Sequence, residues 1–139
     1  CPHCDLIFVP ESHHLQPDEE LARYRLHRNT LSNDGYDPFF FPAFPEGSYD
    51  LVISTEVFEH LREIRVELQR IRKLIKSGGY LAVMTSMHDV VNDFENWWYK
   101  NDPTHICFFD AHTFEWLAKE FGFEIVYNDN KNFIILNKK

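Results

Sequence analysis

The sequence contains few cysteines, few basic residues and no long apolar run. Three cysteines do not make a disulfide framework, so a reducing cytoplasm is the expected location. Lys and Arg number 14 against 22 Asp and Glu, giving a formal net charge of −8. Such an acidic balance disfavours nucleic acid as the main ligand. No apolar stretch approaches the ~20 residues that span a bilayer, so no membrane partner is expected.

The apolar residues that are present predict a β-α-β unit. Residues 51–53 form a short, continuously apolar run, typical of a strand buried on both faces of a parallel sheet. Apolar residues then recur every three or four positions from Ile64 to Ile75, which predicts a helix that Ser77-Gly78-Gly79 ends. Residues 80–85 predict a second buried strand, completing the unit.

The C-terminal third predicts a helix and a hairpin. The helix covers residues 111–121 and stops at Gly122, and the strands at 123–127 and 133–136 are joined by a polar turn. The fold class expected is therefore α/β, with a mostly parallel sheet flanked by helices and a C-terminal antiparallel β-hairpin. Residues 1–35, with a helix over 17–28, form a cysteine-containing arm ahead of a main domain at residues 36–139.

Three segments resemble the class I, Rossmann-like methyltransferases that depend on S-adenosylmethionine. Residues 49–61 (YDLVISTEVFEHL) are similar to the family's fourth strand and following loop, residues 74–81 (LIKSGGYL) to the turn into its fifth strand, and residues 120–123 (EFGF) to the start of its sixth. The resemblance implies an S-adenosyl-L-methionine cofactor and methyl transfer to an oxygen, nitrogen or carbon atom of a small-molecule acceptor. Residues 97–105 resemble a narrower, uncharacterised bacterial subgroup.

The family's Gly-x-Gly-x-Gly cofactor loop is absent from the sequence, whose five glycines are Gly35, Gly47, Gly78, Gly79 and Gly122. A strand-loop-helix-strand module needs roughly 30 residues, and no such length lies between Asn33 and Tyr36. We therefore expect that this segment is missing from the sequence near residues 34–36. If the gap is natural, the chain is instead an inactive binding module with a methyltransferase-like fold.

Four polar residues are candidates for holding the cofactor. By resemblance, Asp37 follows a strand and accepts the ribose hydroxyls, although Asp37-Pro38 also suits a turn. A nicotinamide cofactor of an oxidoreductase would be held equally well by that carboxylate. Ser54, Thr55 and Glu56 follow a buried strand, where open α/β sheets bind ligands. The alternative for Ser54 or Thr55 is a helix N-cap.

Catalytic residues are expected in the loop that contains Trp97, Trp98 and Tyr99. His105 can take a proton from an acceptor at neutral pH, with Asp102 orienting the ring. The alternative is a structural loop, packed on the core by its aromatic rings.

Two sets of residues are candidates for metal binding. Cys1 and Cys4 have the spacing of half a zinc ribbon, although a structural zinc site needs four ligands. Glu56, Glu59 and His60 would share one face of a helix. They resemble the Glu-x-x-Glu-His motif with which some ubiquinone-pathway methyltransferases bind magnesium. Related sequences with no known metal share this motif.

Overall fold

The structure is a computed structural model that describes residues 3–24, 35–37 and 40–139. Its strands are β1 (Ile7–Phe8), β2 (Tyr49–Thr55), β3 (Ile75–Met84), β4 (Cys107–Phe108), β5 (Phe123–Asn128) and β6 (Phe133–Lys138). Its α-helices are α1 (Pro17–Tyr24), α2 (Ile64–Leu74) and α3 (Ala111–Phe121). Short 3₁₀ turns occupy Glu11–His13, Phe58–His60 and Trp98–Asn101. Within the described residues, no helix has the length and apolar character to cross a membrane.

The main sheet has the strand order β2-β3-β6-β5. Strand β2 runs parallel to β3, whereas β6 is antiparallel to both of its neighbours, β3 and β5. Strands β2, β3 and β5 therefore point the same way and β6 alone points back. The predicted β-α-β unit and the predicted terminal hairpin are both confirmed, with β6 inserted between β3 and β5.

One face of this sheet carries the hydrophobic core. Leu81 and Val83 of β3 pair in register with Leu136 and Ile134 of β6, and all four side chains are buried. Because side chains alternate along a strand, these four share one face. Helices α2 and α3 pack against that face through Leu68, Phe114 and Leu117. Each such buried side chain contributes about 1.5–3 kcal/mol of hydrophobic stabilisation.

The other face of β2 is exposed in the described structure. Leu51 is 50% exposed and Ile53 is 66% exposed, and Leu51 pairs with the half-exposed Tyr80 of β3. The prediction that residues 51–53 are buried on both faces is therefore wrong. Strand β2 lies at the edge of the four-stranded sheet. Ser54 is the buried residue of this strand, and Val52 on the same face is partly buried against the core.

The two long helices end differently. Helix α3 ends as predicted at Gly122, whose φ of 66° and ψ of 43° are left-handed and favour glycine. Helix α2 ends at Leu74, so the prediction that the glycine pair stops it is wrong. Ile75 is already extended and is buried in the core, while Lys138 Nζ binds the Ile75 carbonyl oxygen. Gly78, with a φ of 76°, lies within β3.

The N-terminal arm contacts the main domain. Strand β1 pairs antiparallel with β4, with Ile7 opposite Phe108. The Thr113 hydroxyl of α3 donates to the Cys4 carbonyl oxygen at 2.5 Å. The helix predicted over residues 17–28 is present as Pro17–Tyr24, and its remaining residues lie outside the described ranges.

Candidate functional site

Polar side chains collect where β2 and β3 end side by side. Thr55 pairs with Met84 in the last register position, and the Glu56 backbone N–H donates to the Met84 carbonyl oxygen at 2.9 Å. Glu56 has a φ of 51°, a left-handed conformation that turns the chain sharply after β2. The turn Phe58–His60 follows and buries Glu59 completely. The carboxyl ends of parallel strands are the usual ligand-binding edge of open α/β sheets.

Two hydroxyl groups at this edge each donate a hydrogen bond to a glutamate. The Thr85 hydroxyl donates to Glu59 Oε2 at 2.8 Å, and the Tyr99 hydroxyl donates to Glu56 Oε2 at 3.1 Å. The two hydroxyl oxygens of Thr85 and Tyr99 lie 3.3 Å apart. Burial, reinforced by the nearby Glu59 charge, raises the pKa of Glu56 and the pKa of Tyr99. These two hydroxyl groups hold the two carboxylates in place.

Two histidine rings complete the edge. His60 Nδ1 lies 2.9 Å from the Thr104 carbonyl oxygen, and His105 Nδ1 lies 2.7 Å from the Tyr99 carbonyl oxygen. A carbonyl oxygen only accepts, so each Nδ1 carries a proton and each neutral ring has its lone pair on Nε2. Burial lowers the pKa of both rings, and the neighbouring His60 lowers that of His105 further. Burial thus favours the neutral form of both rings.

The two rings face the buried carboxylate of Glu59. Their centroids are 4.8 Å apart, and His60 Nε2 is 3.7 Å from Glu59 Oε1. One ligand atom from each of Glu59, His60 and His105 lies within 4.8 Å of the other two. Glu59 Oε1 is buried and accepts no hydrogen bond from any described residue. These three side chains are the group among the described residues that is spaced to hold a metal ion.

A family model described as a methyltransferase domain matches residues 10–128. The chain belongs to this methyltransferase family. It is similar to fusarin C synthetase of Gibberella fujikuroi, with 32% identity over 66 residues, which cover 43% of this chain and 2% of the relative. It is also similar to the highly reducing polyketide synthase otaA of Aspergillus niger, with 40% identity over 74 residues, which cover 49% of this chain and 3% of the relative.

The chain thus matches only a few per cent of the length of these synthases. Both relatives are fungal, and they give no support to the narrower resemblance to a bacterial subgroup. Neither they nor the family match gives support to an oxidoreductase. The match over residues 10–128 includes β2, β3 and the polar edge between them.

Three of the predicted cofactor residues lie at this edge of the methyltransferase domain. Ser54, Thr55 and Glu56 end β2 or directly follow it. The turn Phe58–His60 has Val57 at its N-cap position and no side-chain cap. The structure therefore does not use Ser54 or Thr55 as the helix cap offered as their alternative role. Ser54 Oγ is buried and has no hydrogen-bond partner among the described residues.

The predicted catalytic residues share the loop that ends at His105. Asp102 Oδ1 accepts from the backbone N–H of Thr104 at 2.9 Å and from the Thr104 hydroxyl at 2.6 Å. Asp102 thereby fixes the residue whose carbonyl oxygen holds His60. The orienting contact at His105 Nδ1 comes from the Tyr99 carbonyl oxygen. The Asp102 charge also raises the pKa of His105, against the stronger effect of burial.

The other two predicted sites lie on other segments of the chain. Asp37 exchanges backbone hydrogen bonds with Phe41, and its Oδ1 accepts from the Phe40 N–H at 2.9 Å, so Asp37 organises a local turn. Downstream, the Arg70 guanidinium of α2 lies 4.2 Å from the Phe44 ring centre. Cys4 is a buried free thiol, and Cys1 lies outside the described residues, so the predicted cysteine pair for zinc is not tested.

The sequence did not predict which residues form the cluster of two histidines and one carboxylate. Helical spacing predicted that Glu56, Glu59 and His60 share one face, but the 3₁₀ turn begins only at Phe58, after the left-handed Glu56. His105, from a distant loop, joins Glu59 and His60 instead. Tyr99 and Thr85 were missed as positioning residues. Only the fold shows that Tyr99 is fully buried whereas Trp98 is exposed.

Proposed function

We propose that this chain is part of an S-adenosylmethionine-dependent methyltransferase of the Rossmann-like class. The observation that carries the proposal is the polar edge at the ends of β2 and β3, which lies inside the matched methyltransferase region. The strand order β2-β3-β6-β5, with β6 reversed, supports the view that the chain supplies one half of such a sheet.

The residues at the end of β2 suit the cofactor that we propose. Ser54 brings a buried hydroxyl with no partner among the described residues, and Glu56 brings a carboxylate held by Tyr99. A carboxylate at this edge attracts a sulfonium cation. Asp37 is the proposed ribose ligand. Bound S-adenosylmethionine would supply an already activated methyl group, so the protein mainly needs to align the acceptor with it.

His105 is the proposed proton acceptor, with Asp102 shaping its loop. Its Nδ1 is occupied by the Tyr99 carbonyl, which leaves Nε2 as the basic atom of a neutral ring. This role applies when the acceptor must lose a proton. The relatives include polyketide synthases. Small-molecule acceptors with an acidic carbon flanked by carbonyl groups are therefore among the first to test. The buried free thiols of Cys4 and Cys107 support a reducing cytoplasm as the compartment.

The assay for this proposal is release of S-adenosylhomocysteine from S-adenosylmethionine by the full-length protein, with oxygen, nitrogen and carbon acceptors. We expect turnover with one acceptor class. For an acceptor that must be deprotonated, His105→Asn should lower kcat by about 100-fold or more, the usual contribution of a general base. The exposed Glu46→Gln is the matched control and should change nothing. Turnover that is unchanged in His105→Asn would reject the role of His105.

A second candidate function is an inactive binding module of the same fold. It rests on the absence of a glycine-rich loop and on the exposed edge strand β2, with Leu51 and Ile53 facing solvent. We favour a missing β-α-β segment that would pair with this edge, because an open apolar edge promotes aggregation. Mass spectrometry of tryptic peptides from the native protein distinguishes the two. An uninterrupted peptide over residues 29–62 would favour the binding module, and extra residues between Asn33 and Tyr36 would favour the enzyme.

A further inference from the structure

We propose that Glu59, His60 and His105 form a binding site for one divalent transition-metal ion. The ligands would be Glu59 Oε1 and the Nε2 atoms of the two histidines. Two imidazole nitrogens and one carboxylate oxygen are a donor set that zinc, cobalt and ferrous iron accept readily. The site needs no S-adenosylmethionine, so metal binding can be measured without methyl transfer.

The two rings are already oriented as metal ligands. In metal sites a ligating histidine donates its other ring N–H to a carbonyl or carboxylate, which fixes both the tautomer and the ring plane. His60 does so to Thr104 at 2.9 Å, and His105 does so to Tyr99 at 2.7 Å. Both loops thus bring the two rings into one cluster with the Glu59 carboxylate.

The carboxylate supplies an independent observation. Glu59 is 0% exposed, and its Oε2 accepts from Thr85, but its Oε1 has no hydrogen-bond donor among the described residues. A buried anionic oxygen without a partner is costly in free energy. A cation bound to Oε1 would remove that cost. In the described structure this oxygen lies 3.7 Å from His60 Nε2, within the same cluster.

Metal binding requires only a small decrease in the distances between the three ligand atoms. The three ligand atoms lie within 4.8 Å of one another. In a tetrahedral zinc site, with bonds of roughly 2.0–2.2 Å, neighbouring ligand atoms are about 3.3 Å apart. Side-chain rotation can supply that difference. The His60 side chain is 15% exposed, which leaves a route for the ion and for a water ligand.

The surrounding charge also suits a cation. The carboxylates of Asp102, Glu20 and Glu56 each favour a positive charge at the His60 ring, and Glu20 is also paired with Arg62. The nitrogen-rich donor set disfavours magnesium and calcium, which prefer oxygen ligands. The proposed set contains His105 in place of Glu56 of the candidate set Glu56, Glu59 and His60, and its two nitrogen donors favour a transition metal. When the ion is bound, His105 Nε2 cannot also accept a proton.

The test is a titration of the chelator-stripped full-length protein with Co²⁺, followed by visible absorption and without S-adenosylmethionine. We expect one Co²⁺ per chain, visible bands of nitrogen and oxygen ligation, and displacement by Zn²⁺. Glu59→Gln and His105→Asn should each weaken binding by more than about tenfold, since loss of even an outer-shell partner costs 10–100-fold. Glu59→Asp keeps the carboxylate and should retain part of the affinity.

The matched control is His112→Asn, which removes an exposed histidine that pairs with Asp5 on the surface. It should leave Co²⁺ binding unchanged. Equal binding by the wild type, Glu59→Gln and His105→Asn would overturn the proposal. A thiolate-to-cobalt charge-transfer band would overturn it too, because it would place the ion on cysteine. Circular dichroism of each variant confirms that it is folded before its affinity is compared.

Discussion

Replacing Glu59 with glutamine is expected to stabilise the metal-free protein. Glu59 Oε2 is satisfied by Thr85, and a glutamine carbonyl oxygen can accept that same hydrogen bond. The glutamine NH₂ would then take the position of Oε1, 3.7 Å from His60 Nε2, which has a lone pair. The substitution therefore removes a buried charge and keeps the volume.

The size of the effect follows from the cost of a buried group without a partner. That cost is about 1–3 kcal/mol, and more for a charged group. We expect Glu59→Gln to raise the free energy of unfolding by about 2 kcal/mol. For a chain of 139 residues that corresponds to a rise in Tm of roughly 6–8 °C. Metal offsets part of this gain, because an ion at 100 times its wild-type Kd stabilises the wild type by about 2.7 kcal/mol and a variant that binds it tenfold more weakly by about 1.4 kcal/mol.

The assay is urea unfolding at pH 7.5, followed by circular dichroism, with a chelator and then with Zn²⁺. Thr85→Val is the control, because it removes the donor to Glu59 Oε2 and should destabilise the metal-free protein by about 1–3 kcal/mol. A loss of 1 kcal/mol or more in metal-free Glu59→Gln, like that of Thr85→Val, would refute the reasoning. It would mean that Oε1 is satisfied in the folded protein.

Three further predictions concern the fold and the N-terminal arm. Phe114→Ala, which empties a fully buried ring site, should lower the free energy of unfolding by about 3–5 kcal/mol in urea titration. Asp110→Ala should cost about 1 kcal/mol in the same assay, because Asp110 caps α3. Asp5 raises the pKa of His112, so Asp5→Asn should return it towards ~6.5 in an NMR titration. Because the folded protein binds the extra proton, the stabilisation from His112 is present below ~6.5 and is lost as pH rises through the raised pKa, whereas that from Asp5, whose pKa is lowered, is lost as pH falls through it.

Local patterns predicted the parts of the fold that local contacts determine. The spacing of apolar residues in α3 and the stop at Gly122 agree with the structure because both depend on neighbours in the chain. The end of α2 was mispredicted because Ile75 is drawn into the sheet as an extended, buried residue. A tertiary contact thus overrode the preference of glycine for the helix end.

The candidate site was predictable in position but not in composition. The apolar run at residues 51–53 predicted a strand at this place, although β2 extends to Thr55 and Leu51 and Ile53 are exposed. The partnership of Glu59 with His105 depends on how two distant loops pack. Sequence spacing carries no information on that packing, and it favoured Glu56 in place of His105. The left-handed backbone of Glu56 is the physical reason for the difference.

The measurement that tests the central claim most directly is a calorimetric titration of the full-length protein with S-adenosylmethionine, with NAD as the comparison. We predict saturable binding of S-adenosylmethionine at one site, competition by S-adenosylhomocysteine, and weaker binding in Glu56→Gln than in the control Glu46→Gln. Binding of NAD alone, or no heat of binding with S-adenosylmethionine at millimolar concentration, would contradict the assignment of this chain to S-adenosylmethionine-dependent methyl transfer.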